Sequence, residues 1–271
     1  MTVDVENTAP ANFAERYESV LLPVIFQPWA REIVERAAPA DGEDILDLAC
    51  GTGVVTRQVV QSGVTPGSLT GVDHNADMLA VARHRAAEAG IEAEWLEADA
   101  GDLPFSDDRF DLAFCQQALQ FFPDRPRALR ELHRVLRPSG RAVFCVQREL
   151  DINPLLRSQA AALDAHVGTK AGEAVRAICG LPDAEEIRAL FEEAGFRDIA
   201  VETVSLDLHH PDGRRFAAGA MGGMHTGDKL SRISQDQQQQ CIDDFLAGLG
   251  DCFDGQAIRF PHVSNVVEAR A

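Results

Sequence analysis

Three stretches of the chain place acidic or glycine-rich positions where a ligand can be held. Asp47-Leu48-Ala49-Cys50-Gly51-Thr52-Gly53 follows a short apolar run. Glycines at such a switch let the backbone turn sharply and approach a ligand with no Cβ in the way. A helix that follows then aims its N-terminal N–H groups at the same point. Asp73 closes the next apolar run, where a carboxylate can accept from both hydroxyls of a ribose. Asp99 closes the third, within Glu97-Ala98-Asp99-Ala100, and suits the amino group of a nucleobase. Taken singly, each reads as readily as a structural turn or a solvated acid at a strand end. Their joint placement after successive runs points to a nucleoside-binding edge.

Proton transfer at neutral pH calls first for histidine. His74 adjoins Asp73 and belongs with the ribose end, while His133 lies in a helix of surface character. His209, His210 and His225 fall around a long segment between the last two apolar runs. They are the candidates for a general base, with plain polar loop residues as the alternative. The segment from Arg214 to Met224 combines small residues, two methionines and Arg214-Arg215. It reads either as an adaptable apolar pocket with arginines for an acidic group, or as a cap helix packed on the core with its arginines exposed. Phe121 and Phe122 divide the same way, between an aromatic wall and core packing. No spacing of His, Cys, Asp and Glu matches a metal site, so no metal is expected. The six cysteines, Cys50, Cys115, Cys145, Cys179, Cys241 and Cys252, contain no C-x-x-C pair and read as reduced structural thiols.

The elements that must position these residues follow from hydrophobic pattern. Residues 1–40 read as amphipathic helix, with Phe13 and Tyr17 on one face, and Phe26, Trp29 and Ile33 on one face; Pro23 and Pro28 are expected to break it into short pieces. From residue 44 short apolar runs alternate with helical stretches, the signature of parallel strands joined by crossover helices. Strands are predicted over 44–49, 68–73, 92–97, 111–115 and 141–147. Helices are predicted from 54, over 76–89 and over 125–136. Residues 152–180 read as helical with Gly168 and Gly172 as breaks, and a further helix opens at 182–185 and ends at Gly195. Strand-like runs at 197–208 and 258–269 are separated by about fifty residues, long for a plain loop and so expected to be a cap or a functional insertion. Gln237–Gln240 is expected on a solvent-facing helix.

Composition narrows the function. The 271 residues carry 43 acids against 25 bases, a formal charge of −18, which argues against a nucleic-acid partner. Hydrophobic residues make up 45%, enough for a real core. No signal peptide is evident, and the early apolar run is interrupted by Pro23, short of the ~20 residues a membrane span needs. A cytoplasmic protein is expected.

The runs DILDLACGTG, LTGVDHNADMLAVAR, EADAGDLPFSDDRFDLAFC and ALRELHRVLRPSGRAVF together resemble class I S-adenosylmethionine-dependent methyltransferases. More narrowly, they are similar to the subgroup holding the ubiquinone and menaquinone C-methyltransferases and many small-molecule enzymes. The resemblance implies an α/β fold, a doubly wound, mostly parallel seven-stranded sheet with its last strand antiparallel. One domain over 1–271 is implied, with a lid over 1–40, a cofactor core over 41–150, and the remaining sheet with an acceptor-binding cap over 151–271, mainly 207–256. The cofactor implied is S-adenosylmethionine, with S-adenosylhomocysteine as product. By position, Asp47, Gly51 and Gly53, with the loop residues Ala49 and Thr52, should surround its methionine end. Asp73, beside His74, should hold the ribose; Met78 should cover the adenine, and Asp99 and Ala100 should frame its edge. Gln116 and Gln117 should sit at the rim facing the acceptor, and Tyr17 should close as a lid. Two positions depart from the pattern, Ala49 and Ser139, each standing where the family often has glycine. A nicotinamide-dependent dehydrogenase fits less well, because its third glycine is replaced by Thr56.

Methyl transfer to an O, N or C atom of a small-molecule acceptor is therefore expected, by a monomer or homodimer. A sulfonium methyl is already electrophilic, so alignment is the main task, and a base is needed only if the acceptor must lose a proton. The alternatives are an enzyme acting on protein or RNA, and an inactive cofactor-binding protein. A covered pocket favours the small molecule, and a wide groove the macromolecule.

Overall fold

Apolar runs without alternation require a strand covered on both faces. In the computed structural model, which describes residues 13–223, 230 and 233–271, β1 (Asp44–Leu48), β2 (Ser68–Asp73) and β4 (Phe110–Gln116) are buried along nearly their whole length. With β3 (Glu94–Glu97), β5 (Leu136–Gln147), β6 (Arg197–His210) and β7 (Ile258–Arg270) they form one sheet, in the order β3-β2-β1-β4-β5-β7-β6. Strands β1 to β5 run parallel, while β7 is antiparallel to both neighbours. The α/β, seven-stranded expectation is met. The reversal of β7 brings its early residues beside the carboxyl end of β5, with Ser264 opposite Gln147.

Helices cover both faces. One face packs α2 (Gln27–Ala37), α3 (Val54–Gln61), α6 (Pro154–His166) and α7 (Thr169–Arg176) around Trp29, Ile33, Val59 and Phe114. The other packs α5 (Arg125–Val135) and α8 (Ala184–Glu193) around Phe144, Leu129 and Phe191. α4 (Ala76–Glu88) follows β2, and its Asn75 cap accepts from the N–H groups of Asp77 and Met78.

Several boundaries differ from expectation for identifiable reasons. Pro23 does not break the N-terminal region: after α1 (Phe13–Arg16), residues Tyr17–Phe26 form a π-helix that continues into α2. Pro28, in the first turn of α2, likewise does not end the helix, since Phe26 and Gln27 at the junction both keep right-handed helical backbone. Gly172 is not a break but lies inside α7, where a Cβ would meet the Asp164 carboxylate at 2.1 Å. The turn at Arg137-Pro138-Ser139-Gly140 is taken up within β5 as an irregularity between the pairs Phe110–Leu136 and Leu112–Arg141. Arg137 there is salt-bridged to Asp44 at 2.8 Å and to Asp111, tying β5 to β1 and β4 at the end of the sheet where β1 begins.

The insertion between β6 and β7 holds α9 (Gly213–Gly223) and α10 (Gln235–Gly248). Phe216, Ala217, Ala220 and Met221 are buried, and Arg214 is exposed and paired with Asp243 at 2.7 Å. The packed-cap reading of this segment is the one realised. Gln237–Gln240 lie on α10, mostly exposed. Among the described residues, no helix is long and apolar enough to cross a membrane.

Candidate active site

The carboxyl ends of β1, β2, β4 and β5 open onto one cavity of about 620 Å³, the position at which an α/β sheet binds its ligands. At one end it is lined by Ala49, Asp73, His74, Met78, Asp99 and Ala100. At the other lie Leu21, Ile25, Phe26, Gln147, Leu156 and His262. Gln116 and Gln117 stand between, and Tyr17 and Phe26 of the N-terminal helices lie over it with ring centroids 4.5 Å apart. Phe121 and Phe122 both contribute, so the aromatic wall is present.

Asp73 is held by the loop it faces. One oxygen accepts from the Gly51 N–H at 2.8 Å and the other from the Asn75 N–H at 2.9 Å. These bonds leave lone pairs for further donors, since each carboxylate oxygen accepts two. Asp99 accepts from the Gly101 N–H at 2.6 Å. His74 projects into solvent with its Nδ1 3.6 Å from Asp73, consistent with the ribose end rather than the acceptor end.

Asp47 does not face the cavity. It is buried and accepts from the Thr56 N–H at 3.1 Å and hydroxyl at 2.8 Å, fastening β1 to the first turn of α3. Burial pushes its carboxyl up to about 7. Gly51, Thr52 and Gly53 likewise shape the loop rather than line the cavity. Gly53 has φ +79°, and a Cβ there would lie 2.5 Å from the Trp95 ring. Thr52 is buried with its hydroxyl unpartnered.

The two glutamines are half-satisfied. Gln116 donates to the Phe26 carbonyl at 2.9 Å and Gln117 to the Ser264 hydroxyl at 2.8 Å. Each leaves its own carbonyl oxygen buried without a partner. Tyr17 is half-buried, and desolvation raises its phenol well above the ordinary value, so it acts as a neutral hydroxyl.

The base candidates are not where they were expected. His209 and His210 end β6, away from the cavity lining; His210 accepts from the Asp212 N–H at 3.1 Å. His225 and Met224 lie outside the described residues. None of the described residues of 207–256 lines the cavity, because α9 and α10 pack on the π-helix and on α6 instead. Besides His74 at the polar end, the histidine that lines it is His262, on β7. Sequence reasoning missed it because it sits inside an apolar strand; the polar run His262, Ser264, Asn265 in that strand was the available signal. Among the described residues no cluster of His, Cys, Asp and Glu could hold a metal. Burial pushes the thiols of Cys50 and Cys115 well up, so they are unreactive.

A family model described as a methyltransferase domain matches residues 45–140. The chain is 37% identical over 131 residues to 2-phytyl-1,4-naphthoquinone methyltransferase of Synechococcus elongatus, covering 48% of this chain but only 56% of that one. To the ubiquinone/menaquinone biosynthesis C-methyltransferase of Klebsiella pneumoniae it is 30% identical over 188 residues, 65% of this chain and 74% of the other. This chain belongs to the S-adenosylmethionine-dependent methyltransferase family. The YcgJ protein of Bacillus subtilis shares the fold, with a TM-score of 0.59 at 21% identity over 90% of this chain and 98% of that one.

The residues present suit the family's cofactor. S-adenosylmethionine offers ribose hydroxyls, an adenine amino group and an ammonium as donors. The cavity offers the carboxylates of Asp73 and Asp99 as acceptors, with Gln116 and Gln117 in its lining. Apolar Met78 and Ala100 stand beside the two acids.

Proposed function

We propose that this methyltransferase acts on a small, largely apolar acceptor carrying a ring, the reduced, quinol form of a quinone such as those its relatives are named for. The observation that carries the reading is a half-enclosed cavity partly walled by the N-terminal helices. Its volume of about 620 Å³ falls in the range of roughly 300–1,000 Å³ typical of small-molecule sites, and the N-terminal helices lie over it. An enzyme acting on RNA or folded protein needs an open groove, and a charge of −18 opposes a nucleic acid.

When bound, S-adenosylmethionine supplies an electrophilic sulfonium methyl. The chain's own residues bind, orient and exclude water. Asp73 and Asp99 hold the sugar and base, and Gln116 and Gln117 line the middle of the cavity. Leu21, Ile25, Phe26 and Leu156 exclude water from the far end. Alignment of the reacting atoms at about 3–3.5 Å contributes most of the rate. Within one domain, residues 13–37 serve as the lid. The acceptor end is built by those helices, α6, β5 and β7, while α9 and α10 buttress them. Isotope-labelled S-adenosylmethionine offered with 1,4-naphthoquinol, a catecholamine and an RNA transcript tests the reading. Label should pass to the quinol; transfer to RNA alone, or to none of the three despite cofactor binding, contradicts it.

A further inference from the structure

His262 lies fully inside the protein, 4% exposed, yet its imidazole lines the cavity. Its Nδ1 is 2.8 Å from the indole Nε1 of Trp29, itself wholly buried in α2. An indole nitrogen can only donate, so Nδ1 must be the accepting, unprotonated nitrogen. In a neutral ring the proton then resides on Nε2. No described residue hydrogen-bonds Nε2.

The topology places this ring at the acceptor end. Asp73 and Asp99 follow β2 and β3 at one side of the sheet, whereas β5 and β7 lie at the other. Ser264 stands opposite Gln147, the last residue of β5, so His262 lies just beyond that strand's carboxyl end. Leu21, Ile25 and Leu156, which line the same cavity, are apolar, and Gln147 donates from its amide to the Val263 carbonyl at 2.9 Å. Burial also lowers the imidazole's proton affinity, to about 3, so the ring stays neutral at physiological pH.

We propose that Trp29 locks His262 as a neutral Nε2–H donor that binds an oxygen of the acceptor, so that the acceptor is an apolar ring bearing a hydroxyl, phenolate or carbonyl. This rests on the small-molecule reading above. It also assigns His262 a role other than general base: the lone pair that a base would use is engaged by Trp29. The residue positions the acceptor and favours the anionic form of an acceptor hydroxyl.

The test compares wild type with His262→Leu and His262→Gln, the latter placing an amide donor near the position of Nε2. Calorimetry under anaerobic conditions measures 1,4-naphthoquinol binding to each protein preloaded with S-adenosylhomocysteine. In His262→Leu the Kd should rise about 10- to 100-fold, as for a lost hydrogen bond to a charged or strongly polar group. In His262→Gln it should return to within a few-fold of wild type. S-adenosylhomocysteine binding should be unchanged in both variants, which also shows that they fold. The ¹⁵N shifts of His262 should report a protonated Nε2 and a bare Nδ1. Unchanged quinol binding in the leucine variant or a protonated Nδ1 would overturn the inference. A wild type that fails to bind S-adenosylhomocysteine, or that binds it but no quinol, would instead overturn the functional reading on which it rests.

Discussion

At Ala49 the backbone has φ +54°, and at Ser139 φ +69°. Both are the positions where the chain departs from a glycine common in its family, and both hold an L residue in the left-handed region at a cost of roughly 1–2 kcal/mol. Ala49→Gly should therefore raise the unfolding free energy by about 1 kcal/mol, after the added flexibility of glycine in the unfolded chain is offset; urea titration reads this directly. Asp47 makes a second prediction. Its folded carboxyl sits at about 7 against an ordinary 3.8, so the folded state keeps a proton that the unfolded chain releases. Its contribution to stability is complete below the unfolded value and is lost as pH rises through about 7. The wild-type-minus-Asp47→Asn difference in unfolding free energy should therefore fall by a few kcal/mol between about pH 4 and about pH 8. A flat difference would show that burial does not control this group.

Among the elements, the N-terminal helix is fastened to the cofactor loop by one buried ion pair. Glu18 of the π-helix meets Arg57 of α3 at 2.9 Å, and Arg57 also donates to the Thr52 carbonyl. Removing the acid by Glu18→Ala strands a largely buried guanidinium and should cost roughly 3 kcal/mol. It should also weaken S-adenosylhomocysteine binding, because the loop and the lid lose their tie. Thermal unfolding and calorimetry measure the two effects separately. Element type was legible where the pattern was strong: β2 begins and ends at the predicted residues, and β7 was anticipated to within one residue. Where the reading failed, local rules met tertiary context. Pro23 signals a break, but the π-helix continues through it. Asp47 was placed around the ligand because it flanks the turn, whereas its carboxylate fastens β1 to α3. Trp95, which lies over Gly53 and Gly71, carries no motif that would reveal it. His262 was invisible for a related reason: only the reversed β7, set beside β5, brings it to the cavity.

Over the whole molecule, the cavity at the carboxyl ends of the strands divides into a polar end and an apolar end, and none of the described residues of the insertion foreseen as an acceptor cap at 207–256 lines it. A ligand bound only by the folded state stabilises it by mass action. Saturation at about one hundred times Kd with S-adenosylhomocysteine should add about 2.7 kcal/mol, seen as a rise of several degrees in Tm. The central claim is that Asp73, at the tip of β2, holds the cofactor's sugar within this cavity. Calorimetric titration of S-adenosylhomocysteine into wild type and Asp73→Ala tests it most directly. The expected result is one site per chain in the wild type and an affinity at least about 100-fold weaker in the variant, as when a hydrogen-bonded carboxylate is removed. Equal affinity in both proteins, or no heat of binding in either, would contradict the account.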